Sequence, residues 1–204
     1  MFKKFVLSLV LVSSFALADE AAENDTRYSI AFHPVGTIVN YASLGVFNFW
    51  MTLEAGVSDN VSVVARPVFF TGKYESASIH GLGIAAGTRF FIKCDGRLFK
   101  TDGNRRGWYV EPEIEYVYGT GSREIDYCSL LGGCKNETVH ASAHGFGAIL
   151  LAGYKMQWGS FIAGFDAGLG YMKIFASGSD DVHATGNPAD GLAYDTNLYV
   201  GFAF

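Results

Sequence analysis

The chain has 204 residues, half of them hydrophobic, with 25 glycines, 4 prolines and a formal charge of −5 at pH 7. That acidic balance argues against a nucleic-acid partner, and the length suits a single domain. Apolar residues are dispersed among polar ones, and after residue 18 no run is long enough for a transmembrane helix. This is the profile of many β-strands.

The first stretch reads as a detachable leader. Lys3 and Lys4 precede the apolar run Phe5–Leu17, broken only by Ser8, Ser13 and Ser14, and Ala16-Leu17-Ala18 supplies a small-x-small cleavage site. A secretory signal peptide over residues 1–18 is expected, since the run is short for spanning ~30 Å of hydrocarbon. Residues 19–26 read as a loose acidic lead-in and 27–204 as the folded domain.

Eight strands follow at period two, where alternate side chains face opposite ways. The first is predicted over Tyr28–Val39, with Tyr28, Ile30, Phe32, Pro34 and Ile38 on one face and Ser29, Ala31, His33 and Thr37 on the other. After a link at about Asn40–Leu44, the second, Gly45–Val57, opposes Phe47, Phe49, Met51 and Leu53 to Asn48, Trp50, Thr52 and Glu54. Ser58-Asp59-Asn60 has the composition of a tight turn. The third, Val61–Gly72, sets Val63, Ala65, Pro67 and Phe69 against Ser62, Val64, Arg66 and Val68. The fourth, His80–Lys93, sets Leu82, Ile84, Ala86 and Phe90 against Gly83, Ala85, Arg89 and Lys93.

The fifth, Trp108–Gly119, is the most sharply two-faced: Trp108, Val110, Pro112, Ile114 and Tyr116 oppose Tyr109, Glu111, Glu113 and Glu115. Residues 122–143 read as the longest loop. The sixth strand, His144–Met156, carries Lys155 on its small-residue face; the seventh, Ser160–Ile174, carries Asp166 likewise; the eighth, Tyr194–Phe204, carries Asp195, Asn197 and Tyr199. Strands of ten to fourteen residues exceed the soluble average of ~5–6 and match the ~9–11 that a tilted membrane strand needs. Pro34, Pro67 and Pro112 each lack a ladder donor, so bulges or local gaps are expected there, at about 1 kcal/mol for one missing bond.

The chain has three cysteines. Cys128 and Cys134 bracket Ser-Leu-Leu-Gly-Gly and, in an exported protein, read as a disulfide that adds roughly 2–2.5 kcal/mol by chain entropy. Cys94 has no evident partner, and nothing nearby completes a zinc ligand set.

The last strand, Tyr194-Asp-Thr-Asn-Leu-Tyr-Val-Gly-Phe-Ala-Phe204, resembles the assembly signal that the barrel-insertion machinery reads in bacterial outer-membrane proteins, with Tyr199, Phe202 and Phe204 as its signal residues. Gly81-Leu-Gly-Ile-Ala-Ala-Gly-Thr-Arg-Phe-Phe91 and Gly107-Trp-Tyr-Val-Glu-Pro-Glu113 are similar to strands of small OmpA/OmpX-like barrels. The resemblance implies an all-β, eight-stranded, antiparallel up-and-down transmembrane β-barrel in the bacterial outer membrane. It also implies outer-membrane lipid and lipopolysaccharide as surroundings, a monomeric state, and the insertion machinery as a partner during biogenesis.

Such a barrel is just wide enough for side chains to fill it. An interior network of Glu54, Arg66, Arg89, Lys93, Glu111, Glu113, Glu115, Lys155, Asp166 and Asp195, joined by His33, is therefore expected to plug the lumen. The expected role is structural, or recognition through surface loops, with no catalytic, cofactor or metal site. Two alternatives stay open: a narrow gated channel and a lipid A-modifying enzyme. For the enzyme, His140, Ser142 and His144 form a candidate nucleophile–base group, and no acid stands in an evident supporting place. Asp180, Asp181, His183 and Asp190 read as a solvated loop.

Overall fold

A computed structural model describes residues 27–74, 77–92, 106–129, 133–178 and 191–204. The expected leader, the lead-in, Lys93, Cys94 and the acidic loop at 180–190 lie outside the described residues. Eight antiparallel strands close into a ring in sequence order. They are β1 (Tyr28–Phe32), β2 (Val46–Ser58), β3 (Val61–Tyr74), β4 (Ala77–Phe91), β5 (Gly107–Ser129), β6 (Gly133–Trp158), β7 (Phe161–Gly178) and β8 (Gly191–Ala203), with helix α1 (Pro34–Leu44) between β1 and β2.

Register pairs trace the closure. From Phe202 they lead to Ile30, Leu53, Ala65, Ala86, Ile114, Ala148, Tyr171 and finally Leu192, ten residues along β8 from the start. At ~3.3 Å per residue and ~4.8 Å between strands, that stagger gives a tilt of about 40°.

Two sequence expectations need correction. The first strand stops at Phe32 rather than Val39, because Pro34 offers no donor to β2 and suits the first helical turn. Helix α1 continues to a left-handed C-cap at Gly45, whose φ is 64° and whose N–H reaches Tyr41 O at 3.0 Å. Val35, Ile38 and Tyr41 are exposed at helical spacing. The helix takes the place of the far half of β1, which pairs with β8 only from Ser29 to Phe32. Thr37 partly restores the lost ladder: its hydroxyl donates to the edge carbonyl of Asn48 at 2.6 Å.

The second correction concerns the loop expected at 122–143. β5 and β6 pair without interruption from Gly107–Lys155 to Ser129–Gly133, forming one long hairpin. Its outer part is polar on both faces, so the alternation that betrays a strand is missing there. The gap between the predicted third and fourth strands shrinks likewise, because β3 runs to Tyr74 and β4 starts at Ala77.

The expectation of bulges or gaps at the strand prolines holds for two of them, and both take the form of gaps: β2–β3 pairing lapses opposite Arg66 and Pro67, and β4–β5 pairing lapses opposite Glu111 and Pro112, with the register unchanged across each gap. The β2–β3 register shifts instead beside the turn, between Gly56 and Ser58.

The ring is inverted relative to a water-soluble protein. Leu82, Leu150 and Leu169 are 53%, 57% and 61% exposed on its exterior, whereas Arg66, Arg89 and Glu111 in its interior are 1%, 1% and 0% exposed. Phe49, Phe69, Ile84, Ile114, Phe146 and Leu198 extend the exterior apolar surface around the wall. On β6 that surface runs from Trp158 to Phe146, a rise of about 30 Å along the ring axis at this tilt.

Candidate functional site

The parity of each strand sends its charged residues inward, and the two ladder gaps lie where the interior is most crowded with charge. A chain of alternating charge results. Lys155 donates to Glu54 at 2.9 Å, and Arg89 donates to the same Glu54 oxygen at 3.0 Å. Arg89 Nε also donates to Glu111 Oε2 at 2.7 Å. The other Glu111 oxygen faces Arg66 Nη2 at 3.0 Å, as an ion pair off hydrogen-bond alignment. Arg66 then reaches Glu113, and Asp166 at 3.3 Å.

Neutral side chains complete the lattice. Tyr109 and Asn197 each donate to Asp166 at 2.8 Å, one to each carboxylate oxygen, and Asn197 also donates to Asp195 at 2.8 Å. Thr52 receives Arg66 Nε at 3.3 Å and shares a 2.7 Å hydrogen bond with His33 Nε2. The Arg89 guanidinium stacks 3.9 Å from the Tyr109 ring centre. Tyr109 fits because Gly153 faces it: a Cβ there would lie 2.6 Å from the phenol oxygen. Gly164 makes the same allowance for Tyr199, at 2.4 Å.

Of the residues expected in the interior, Glu54, Arg66, Arg89, Glu111, Glu113, Lys155 and Asp166 are joined by ion pairs; Lys93 lies outside the described residues. Glu115 is buried one step beyond Glu113, and Asp195 is half-buried beside Asn197. Tyr199, read from sequence as part of a terminal signal, is also a buried neighbour of Tyr109 at 3.4 Å, whereas Phe202 and Phe204 are exposed on the exterior. The sequence reading missed the roles of Tyr109, Thr52 and Asn197. Their inward parity, with a glycine opposite Tyr109, was the available signal. Cys128 and Cys134 stand opposite one another in the β5–β6 register.

The nucleophile–base candidates lie on the outer wall. His144 Nδ1 shares a 2.9 Å hydrogen bond with Tyr116 Oη. His140 and Ser142 instead line a shallow depression of about 560 Å³ with His80, Thr120, Ser122 and Ser177. Among the described residues no His/Cys/Asp/Glu group is arranged to hold a metal.

Compared with protein-family models, with curated proteins and with solved structures, the chain matches none of them.

Proposed function

We propose that the protein is a small bacterial outer-membrane β-barrel of the OmpA/OmpX-like kind, with a charge-plugged lumen. Its role is structural, or recognition through the long β5–β6 hairpin and its neighbouring loops. The observation that carries this reading is the inverted ring: apolar side chains cover its exterior and a paired ionic lattice fills its interior. In water such a surface would be an aggregation hazard, whereas in a bilayer it exchanges contact with water for contact with acyl chains. The closed ladder also limits the unpaired strand edges that hydrocarbon penalises. An export signal over residues 1–18 and an assembly signal at Tyr199, Phe202 and Phe204 fit this placement.

The same lattice favours a plug over a narrow channel, because the arginines and Glu111 fill the cross-section with bonded groups. The test is reconstitution into planar bilayers after folding is established by heat-modifiable gel mobility. A heat-dependent mobility shift with no large steady conductance is expected. Large, steady single-channel currents would refute the plug, and absence of the mobility shift would count against the barrel.

A further inference from the structure

One layer above Glu113 the interior changes character. From Asn48 the register leads across three strands, through Phe70 and Gly81, to Gly119, and four residues down β5 stands Glu115. From Glu115 it leads across three more, through Gly147 and Met172, to Gly191, and four residues down β8 stands Asp195. At a tilt of about 40°, three strand spacings rise about 9 Å and four residues descend about 10 Å, so Asn48, Glu115 and Asp195 share one height in the ring. Strand parity turns all three inward.

This layer is rich in acceptors and short of cations. Asn197 donates to Asp195 at 2.8 Å. The cation within electrostatic reach of both Glu115 and Asp195 is Arg66, which Glu111, Glu113 and Asp166 already engage. Asn48 is 8% exposed, and its buried side-chain oxygen Oδ1 has no hydrogen-bond partner. Two carboxylates and an orphaned amide oxygen thus face the same space.

Above the layer the inward side chains are apolar and partly exposed: Val46, Phe70, Val117, Met172 and Ala193. At least two of them lie along the wall rather than across the lumen. The Phe70 ring covers Gly81, where a Cβ would overlap it, and Met172 Sδ would be 3.2 Å from a Cβ at Gly145. Apolar walls with a few converging polar groups at the floor are the make-up of a small-molecule site.

We propose that the upper lumen binds an organic cation, a primary ammonium carried on an apolar body. The ammonium has three N–H donors and no acceptor, which suits Asn48, Glu115 and Asp195. The apolar body occupies the collar, where burial of its carbon adds affinity that a bare metal ion would not gain. The lattice beneath closes the floor. The inference draws on the interior of the closed ring and does not depend on the membrane placement.

The test is isothermal titration calorimetry of the full chain in phospholipid nanodiscs, with empty nanodiscs as the blank. The probes are phenylbutylamine, its neutral analogue phenylbutanol, and calcium chloride. Saturable binding of the amine without binding of the alcohol is expected. The E115Q/D195N variant, checked for the same heat-modifiable mobility, should bind the amine about tenfold more weakly or worse. Met172→Gln, which keeps both carboxylates, should weaken it about threefold. No saturable amine binding by the wild-type chain, equal binding of the alcohol, unchanged affinity in the E115Q/D195N variant, or displacement of the amine by equimolar calcium would overturn the proposal and leave the barrel reading standing. If the double variant does not fold, the contrast between amine and alcohol on the wild-type chain decides.

Discussion

Arg66 and Arg89 share one carboxylate: Glu111 presents one oxygen to each, at 3.0 and 2.7 Å, and keeps the two like charges apart inside the ring. Removing this carboxylate leaves two buried guanidiniums facing each other. Glu111→Gln is therefore expected to lower stability by about 3–5 kcal/mol, the range for breaking a buried ion pair from one side. Urea unfolding in lipid vesicles, followed by tryptophan fluorescence, measures it. A loss under 1 kcal/mol would mean the lattice is not what holds the interior.

The exterior can be tested at a single position. Leu150 is 57% exposed near the middle of the apolar surface. In a bilayer Leu150→Arg should cost ~2–4 kcal/mol. On a water-facing wall the same change should fall within about ±0.5 kcal/mol. Comparing the two unfolding free energies in vesicles separates the environments directly.

Tyr109 depends on the empty space at Gly153. A side chain there would collide with its phenol, 2.6 Å from a Cβ, and with the backbone of Phe165 at 2.5 Å. Gly153→Val should break the Tyr109–Asp166 hydrogen bond and cost about 1–3 kcal/mol or more by overpacking. Tyr109→Phe removes only the hydroxyl, leaving Asp166 one donor short, and should cost about 1–3 kcal/mol without steric strain. If the valine variant is the milder of the two, the packing argument fails.

Helix α1 is held at both ends by local chemistry. Gly45 has φ +64°, and a Cβ there would sit 2.8 Å from Lys73 O, so Gly45→Ala should destabilise by at least about 1–2 kcal/mol. Thr37→Val keeps the shape but strips the donor from Asn48 O, an expected loss of about 1 kcal/mol. Amide exchange along the upper part of β2 should quicken in both variants, and unchanged exchange would contradict the role assigned to the helix.

Cys128 and Cys134 are register partners in the β5–β6 hairpin, and the disulfide expected between them has a direct test. Under oxidising conditions, maleimide labelling of the denatured chain should reach one of the three cysteines; after reduction it should reach all three. Labelling of all three before reduction would exclude the bond.

Strand parity was legible because it is a local property. Wherever one face was apolar, alternation assigned Glu54, Arg66, Arg89, Glu111, Glu113, Lys155 and Asp166 to the other face. It failed in two places for physical reasons. Beyond Gly119 both faces of β5 are polar, so period two vanished while the hairpin continued. At Pro34 a change of period from two to 3.6 within a few residues was read as a strand running on.

By itself the sequence determined the number of strands, their facing, and the concentration of charge on one side of the sheet, because each follows from alternation along a single segment. Only the tertiary structure decided which charges meet. Ion pairing depends on register and on the ten-residue stagger of closure, which bring Arg66 to Asp166 from strands 100 residues apart. The same closure decided that Glu111 lies between two arginines, and it brought His80, Thr120 and His140 from three strands onto one patch of the outer wall.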